Sequence, residues 1–186
     1  TPTRRGDAGT RSLNFALQAA LNPPKPGKQE RRFGELIFRE GDRVMQTRND
    51  YDVVWQKEDG TAGTGIFNGD VGKIAKIDPS GELLEIVFDD RTATYTSDML
   101  AELDMAYAMT VHKAQGSEYR GVVFVGAPCA PSLMVRGVLY TAITRARELL
   151  VIVGDDSAVN KMAENDRRSR RYSGLKWRLR KGGEEK

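Results

Sequence analysis

Two stretches, Gly121-Val122-Val123-Phe124-Val125 and Leu149-Leu150-Val151-Ile152-Val153, decide the fold of this chain. Each is a continuous apolar run of strand length, and residues 132–144 between them carry apolar side chains at helical spacing. A strand, a helix and a second strand, with both strands apolar throughout, is the pattern of a βαβ unit in a buried parallel sheet. The sequence therefore predicts an α/β domain.

The chain upstream of this unit has a different pattern. Residues 11–21 have the apolar spacing of an amphipathic helix, and residues 23–32, rich in Pro, Lys and Gly, indicate a linker. From residue 33 onward, short strand-like segments alternate with turns: Glu35–Phe38, Arg43–Thr47, Val53–Lys57, Val71–Ile77, Leu83–Phe88 and Thr92–Thr96. Such a series of short strands is typical of a small barrel.

These patterns divide the chain into a discontinuous α/β domain and an inserted barrel. We expect residues 1–30 and 104–186 to form the α/β domain and residues 31–103 the barrel. We also expect a short strand at Tyr107–Thr110, ahead of the apolar strands.

Composition excludes several classes of protein. The 186 residues are 39% hydrophobic and 30% charged, which is typical of a globular chain. No apolar run approaches the roughly 18 residues of a transmembrane helix, and the first residues, Thr1 to Arg5, lack both a Met and the apolar stretch of a signal peptide. We expect the chain to be a piece of a longer protein. The single cysteine, Cys129, and the single histidine, His112, exclude a disulfide and the usual zinc sites, and fit a reducing cytosol.

Positive charge is concentrated near the end of the chain. Residues 156–186 contain ten Lys or Arg against five Asp or Glu, whereas residues 1–155 contain nineteen against twenty-one. The densest run is Arg167-Arg168-Ser169-Arg170-Arg171, with Tyr172 and Trp177 nearby. Cations with aromatic rings suit a nucleic-acid backbone and its bases, although a solvated helix face would have the same composition.

A polar segment, residues 110–119, precedes the first apolar strand. It reads Thr-Val-His-Lys-Ala-Gln-Gly-Ser-Glu-Tyr, and its hydroxyl, imidazole, ammonium and amide groups can all donate to phosphate oxygens. Gly116 would allow a close backbone approach, and Glu118 could accept from a ribose hydroxyl. Taken alone, His112 favours a structural role over a functional one.

A second segment, residues 139–147, ends the predicted helix with two arginines, Arg145 and Arg147. A guanidinium binds phosphate in a bidentate manner and can stabilise a transferring phosphoryl group. Arginines at a helix C-terminus also interact favourably with the helix dipole, and taken alone the two residues favour this structural interpretation.

Together, the two segments resemble motifs V and VI of superfamily 1 helicases, in particular the RecD-like ATP-dependent DNA helicases. Three further segments match this family: Arg5-Gly6-Asp7-Ala8-Gly9 with Leu13-Asn14, Gly41 to Gln46 with Asn49-Asp50-Tyr51, and Asn68 to Gly72. The resemblance extends from about Thr1 to Leu179. It implies a second RecA-like motor domain interrupted by a small SH3-like β-barrel that also contacts DNA.

The resemblance also implies residue roles. Arg145 matches the arginine finger that reaches the γ-phosphate of ATP. Gly116 and Glu118 match positions near the nucleotide, and Arg5 is expected to be a second phosphate contact. Four residues match positions in contact with single-stranded DNA: Thr110, His112, Lys113 and Gln115.

The implied partners follow from the same resemblance. They are single-stranded DNA and the N-terminal RecA-like domain of the same chain, with no membrane and with 5′-to-3′ movement. The implied location is the cytoplasm, at the bacterial nucleoid.

The sequence lacks a phosphate-binding loop. Its nearest counterpart, Gly63 to Gly69, is followed by Asp70 rather than by Lys and Ser or Thr, and we interpret it as a hairpin turn. Asp89-Asp90 and Asp155-Asp156 are interpreted as turns rather than magnesium ligands, and no metal site is expected. ATP and Mg²⁺ would thus be bound mainly by the N-terminal RecA-like domain. The 186 residues are expected not to hydrolyse ATP by themselves.

A second function remains open. The chain could be a nucleic-acid-binding module that takes no part in catalysis, although such a module has no need of an arginine at position 145. A hydrolase built on His112 is excluded because no Gly-x-Ser-x-Gly motif is present and nothing in the sequence links Cys129 to His112.

Overall fold

A seven-stranded antiparallel sheet forms the first part of the computed structural model, which describes residues 1–167. Helix α1 (Thr10–Leu21) is followed by a hairpin of β1 (Glu30–Phe33) and β2 (Leu36–Arg39). The strands of the large sheet come next: β3 (Arg43–Gln46), β4 (Asp50–Gln56), β5 (Ala62–Ile66), β6 (Val71–Ile77), β7 (Leu83–Phe88), β8 (Arg91–Thr96) and, after a 3₁₀ turn at Met99–Glu102, β9 (Leu103–Met105).

The strands lie in the order β5-β4-β8-β7-β6-β3-β9. Apolar residues alternate along them, so one face of the sheet closes over a core that contains Phe38, Val44, Ile74, Ile86 and Tyr95, all completely buried. The predicted region of short strands is confirmed and is antiparallel, and strands β6 and β7 have the predicted bounds.

The last part of the described chain is the predicted βαβ unit. Strand β10 (Tyr119–Gly126) pairs in parallel with β11 (Ala146–Gly154), and helix α2 (Arg136–Ile143) connects them. Helix α3 (Asp156–Glu164) follows. The core of this βαβ unit and α3 contains Phe124, Val138, Leu139 and Met162.

Within residues 1–167, helices α2 and α3 cover only part of one face of this parallel pair, where Ile152 is still 45% exposed, which corrects the prediction of a buried sheet. Phe124 faces α2 and α3, but on the opposite face Val123, Leu149 and Val153 are 64%, 60% and 50% exposed. The described residues supply two helices against one face and no element against the other.

Several local predictions were wrong for identifiable reasons. The expected strand at Tyr107–Thr110 is irregular, and the side chain of Asn14 occupies both backbone groups of Ala108 in its middle. Its amide nitrogen donates to the carbonyls of Met105 and Ala108 at 3.1 and 3.0 Å, and its oxygen accepts from the backbone N–H of Ala108 at 2.7 Å. The strand forms earlier, as β9.

The predicted linker and turns also need correction. Residues 30–32 of the linker belong to β1, where Glu30 forms an ion pair with the largely buried Arg39 of β2. Asp155 caps α3 by accepting from the backbone N–H of Ser157 at 2.8 Å, so Asp155-Asp156 begins a helix. The turn at Asp89-Asp90 is confirmed.

The segment Gly63 to Gly69 is mostly a strand rather than a hairpin turn. Its first residues lie in β5, and only Asn68-Gly69 form a turn. Gly63 is required there because a Cβ atom would lie 2.5 Å from the ring of Trp55. Since the segment joins strand to strand, it has no helix N-terminus that could hold phosphate.

Candidate nucleotide and nucleic-acid site

The segment before β10 folds into successive tight turns that present polar side chains outward. Val111 and Ala114 point into the protein and are 4% and 7% exposed. The backbone N–H of Ala114 donates to the carbonyl of Thr110 at 3.1 Å, and that of Lys113 donates to the hydroxyl of Thr110 at 3.2 Å. His112 lies between these two buried positions and Gln115 follows Ala114, and both side chains are exposed to solvent.

The end of this segment meets the end of α2 through Arg145. The guanidinium of Arg145 donates to the carbonyl of Ser117, to the carbonyl of Thr141 and to the hydroxyl of Thr144, each at 3.0 Å. Its own carbonyl accepts from the backbone N–H of Tyr119 at 2.8 Å. The structure thus brings Arg145 beside Gly116 and Glu118, the residues assigned to the nucleotide.

Glu118 and Gly116 lie open to solvent at this junction. The carboxylate of Glu118 is 3.6 Å from the guanidinium of Arg147, and both side chains are well exposed. Gly116 has a φ of +92°, a left-handed conformation that favours glycine and lets the chain reverse between Gln115 and Ser117.

The residues assigned to DNA lie along two adjoining grooves. Thr110, His112 and Lys113 line a groove of about 650 Å³ whose other wall is the barrel, at Met45 and Thr47. His112 and Gln115 also line a second groove, of about 930 Å³, whose other wall includes Arg136 and Tyr140 of α2. His112 belongs to both grooves and so lies between them.

Lys113 directly connects the two parts of the molecule. Its ammonium group donates to the side-chain oxygen of Asn68, in the barrel turn between β5 and β6, at 2.7 Å. The backbone N–H of Asn68 in turn donates to the side chain of Asn49 at 3.0 Å. The barrel therefore places its loops beside the segment that carries Lys113.

Sequence reasoning missed an aromatic pair next to this contact. Tyr51 and Phe67 are 64% and 41% exposed, and their rings meet edge to face with centroids 5.6 Å apart. Exposed aromatic rings beside a cation provide both stacking and charge for single-stranded nucleic acid. The signal in the sequence was an aromatic residue adjoining each of the polar loops at Asn49 and Asn68.

Arg5 lies in a different place from the other residues assigned to the nucleotide. It lines a cleft of about 380 Å³ beside α1 together with Arg4 and Arg11. Arg4 forms an ion pair with Asp104 at 3.3 Å, and Arg11 forms one with Glu35. None of Gly116, Glu118 and Arg145 lines this cleft.

A buried polar cluster holds the segment that leads to Thr110. Asp42 is completely buried, and its carboxylate accepts from Gln18 and Asn22 of α1, from the backbone N–H of Arg39 and from the hydroxyl of Tyr107, at 2.6 to 2.8 Å. Burial and the hydrogen bond to Asp42 raise the pKa of Tyr107 to about 12.

The residues present fit only part of a nucleotide site. Arg145 can bind phosphate oxygens, but the chain has no phosphate-binding loop with its lysine and its hydroxyl ligand for Mg²⁺. Within residues 1–167, no group of three or more His, Cys, Asp or Glu residues is arranged to hold a metal ion. The basic run at 168–172 lies outside the described residues.

Comparisons with known proteins define the class to which this arrangement belongs. Residues 13–88 match the ATP-dependent RecD-like DNA helicase SH3 domain, and residues 105–153 match the UvrD-like helicase C-terminal domain. The chain is thus a helicase C-terminal region with an SH3 domain.

Individual relatives identify the family within that class. The chain is 37% identical over 170 residues to the ATP-dependent RecD2 DNA helicase of Deinococcus radiodurans, covering 91% of this chain and 22% of the relative. It is 31% identical over 183 residues to the RecBCD enzyme subunit RecD of Mycolicibacterium smegmatis, covering 97% of this chain and 28% of the relative. The chain belongs to the RecD-like helicase family, and it spans about a quarter of the length of these relatives.

Solved structures of Pif1 helicases have the same fold. A crystal structure of Bacteroides Pif1 bound to ssDNA matches with a TM-score of 0.54 at 17% identity, covering 96% of this chain and 44% of that one. A structure of two Pif1 helicases at forked dsDNA matches with a TM-score of 0.52, also at 17% identity. The expected RecA-like domain with an SH3-like barrel is confirmed at the level of the fold.

Proposed function

We propose that this chain is the C-terminal motor region of an ATP-dependent 5′-to-3′ DNA helicase. It supplies the arginine finger, Arg145, and part of the track for single-stranded DNA. Residues 1–30 and 104–186 form the second RecA-like domain, and residues 31–103 form the SH3-like barrel. ATP and Mg²⁺ are held mainly by an N-terminal RecA-like domain of the same protein, and the chain alone does not hydrolyse ATP.

The single observation that carries this proposal is the junction at Arg145. Its guanidinium joins the turn that bears Gly116 and Glu118 to the end of α2, so the two helicase motifs form one surface. A guanidinium has five N–H donors in a fixed fork, of which three are used here, and two are left for phosphate oxygens. Arg5 acts as a separate phosphate contact.

The DNA track follows from the groove between Lys113 and the barrel. Thr110, His112 and Lys113 contact the sugar-phosphate backbone, and Gln115 extends the contact toward α2. Asn68 occupies one donor of the Lys113 ammonium group, which leaves two for phosphate. The aromatic pair Tyr51 and Phe67 stacks on bases beside this contact.

The N-terminal region of the same protein covers the exposed apolar face of β10 and β11. Parallel sheets are stable when both faces are covered, and this face has no cover within residues 1–167. No helix among the described residues is long and apolar enough to cross a membrane. We place the protein at the bacterial nucleoid, where its DNA lies.

The test measures DNA binding and ATP turnover in the full-length protein. Labelled oligo-dT is titrated at several salt concentrations for the wild type, His112→Ala, Lys113→Ala and the control Lys76→Ala, which removes an exposed barrel lysine outside the track. We expect weaker binding in both track variants and, for Lys113→Ala, which removes a cation, a salt-dependence slope smaller by about 0.7. Unchanged binding in both His112→Ala and Lys113→Ala would refute the DNA track.

The same proteins distinguish the motor from its alternative, a non-catalytic nucleic-acid-binding module. A motor hydrolyses ATP faster when oligo-dT is added, and it depends on Arg145 for turnover. A binding module retains salt-sensitive binding of oligo-dT but shows no ATP turnover with or without DNA. That result would reject the motor proposal in favour of the binding module.

A further inference from the structure

Two like charges face each other on the barrel, in the ladder between β3 and β6. Arg43 lies directly opposite Lys73 in the antiparallel register, and both side chains are exposed. Like charges directly opposite each other destabilise a sheet. Within residues 1–167, no carboxylate lies within ion-pairing distance of either side chain.

A third cation, Lys28, lies in the same groove. The groove has a volume of about 580 Å³, and the apolar side chain of Leu21 and the ring of Tyr107 also line it. None of its described lining residues is acidic. Asp42 follows Gly41 in the chain, but its carboxylate is buried and already accepts from Gln18, Asn22, Arg39 and Tyr107.

This groove continues the surface that contains Lys113. Side chains two residues apart share a face of a strand, so Arg43 and Met45 lie on the same side of β3, and Thr47 follows just beyond the end of that strand. Met45 and Thr47 line the groove that holds Lys113. At about 3.4 Å per residue, Arg43 lies about 14 Å from Thr47, which is a span of a few nucleotides.

We propose that Lys28, Arg43 and Lys73 form a second phosphate-binding site, which holds a single strand of DNA after it leaves Lys113. The proposal rests on the DNA track proposed above and assigns its continuation to the β3–β6 face of the barrel. The repulsion between Arg43 and Lys73 is relieved when a phosphate lies between them. The ligand is the sugar-phosphate backbone, so recognition is independent of sequence.

The experiment compares short and long oligo-dT on the full-length protein without nucleotide. The variant Arg43→Ala/Lys73→Ala is measured beside the wild type and the control Lys76→Ala, which lies on the same strand but outside the groove. We expect the double variant to bind long oligo-dT roughly tenfold more weakly, with a slope smaller by about 1.4, corresponding to two lost contacts. Binding of an oligo-dT too short to reach Arg43 from Lys113 is expected to stay unchanged.

Thermal unfolding of the same variants separates a binding role from a structural one. Because removing either cation relieves repulsion, the double variant is expected to have an equal or higher melting temperature despite its weaker binding. Equal affinity of wild type and double variant for long oligo-dT would overturn the proposal. A loss of affinity that only accompanies a lower melting temperature would overturn it as well.

Variants at His112 and Lys113 identify which proposal has failed. If they weaken the binding of short oligo-dT while Arg43→Ala/Lys73→Ala has no effect on long oligo-dT, the track stands and its continuation is wrong. If neither set changes binding, or if the wild type binds no oligo-dT at low salt, both proposals are wrong.

Discussion

At the scale of single residues, the Arg145 side chain combines hydrogen bonds that hold the fold together with a proposed catalytic role. Its bonds to the carbonyls of Ser117 and Thr141 fix the guanidinium relative to the turn at Gly116. A fixed guanidinium loses little freedom when it binds phosphate, which is a requirement for stabilising a transferring phosphoryl group. The contacts that hold Arg145 in place therefore support, rather than oppose, its assignment as the arginine finger.

Replacing Arg145 tests this assignment. In the full-length protein we expect Arg145→Ala to reduce DNA-stimulated ATP turnover by about 10³-fold or more, because the transition-state charge loses its cation. The control is Arg147→Ala, which removes a nearby exposed arginine whose ion pair with Glu118 is worth little.

The affinity for oligo-dT and the unfolding curve are measured on the same samples. Turnover that falls only in proportion to the folded fraction of Arg145→Ala would assign Arg145 a purely structural role. Intact oligo-dT affinity together with the large loss of turnover would confirm that the arginine acts on the nucleotide.

At the scale of elements, the Asp42 cluster joins α1, β2, β3 and the segment that leads to Thr110. Gln18 and Asn22 reach Asp42 from α1, and Tyr107 reaches it from beyond β9. Because Asn14 holds the same segment through Met105 and Ala108, helix α1 fixes the barrel and the polar turns relative to each other.

This cluster predicts a pH dependence of stability. The pKa of Tyr107 is raised from 10.0 to about 12, by burial first and then by its bond to Asp42, so the folded state favours the neutral phenol. The contribution of the neutral Tyr107 phenol to the free energy of unfolding is complete below pH 10.0, where Tyr107 is neutral in both the folded and the unfolded protein. This contribution is lost as the pH rises toward about 12.

The variant Tyr107→Phe isolates this contribution. At pH 8 we expect it to lower the free energy of unfolding by about 1 to 2 kcal/mol, because Asp42 loses one donor. Its stability then depends less on pH than that of the wild type, and the two curves converge in alkaline solution. Tyr51→Phe, at an exposed position, serves as the control. Parallel curves for the wild type and Tyr107→Phe would contradict the assignment.

The strands also show which elements the sequence predicts and which elements depend on contacts that the sequence does not reveal. Alternation of apolar side chains predicted β6 and β7 correctly, since each has a buried face. Strand β5 was missed because Gly63 and Gly65 indicate a turn, whereas its strand conformation depends on Trp55, which packs on Gly63 from a neighbouring strand.

The candidate site divides in the same way. Arg145, His112 and Lys113 were identified as candidates through the resemblance of their segments to helicase motifs, and their roles stay predictions. The contacts that position them, such as Lys113 with Asn68, join residues 45 positions apart and depend on the fold. No local pattern in the sequence predicts such a contact.

At the scale of the whole molecule, the described residues form one complete core and one half-covered one. The barrel core contains completely buried side chains from most strands of its sheet. The parallel pair β10 and β11 is covered by α2 and α3 on one face only, and its other face exposes Val123, Leu149, Val151 and Val153. A contiguous exposed apolar patch of this kind marks an interaction surface.

Charge substitutions on this face distinguish an interaction surface from a solvated one. Val123 and Val151 are partners across the parallel ladder, and both are exposed. In the 186-residue chain we expect Val123→Lys/Val151→Lys to reduce concentration-dependent self-association, measured by sedimentation, with little change in the melting temperature, since both side chains are exposed. In the full-length protein the same substitutions are expected to lower the melting temperature and the ATP turnover, because lysines would be buried against the N-terminal region. If both proteins tolerate the substitutions equally, this face is exposed to solvent in the full-length protein and the proposed covering by its N-terminal region is wrong.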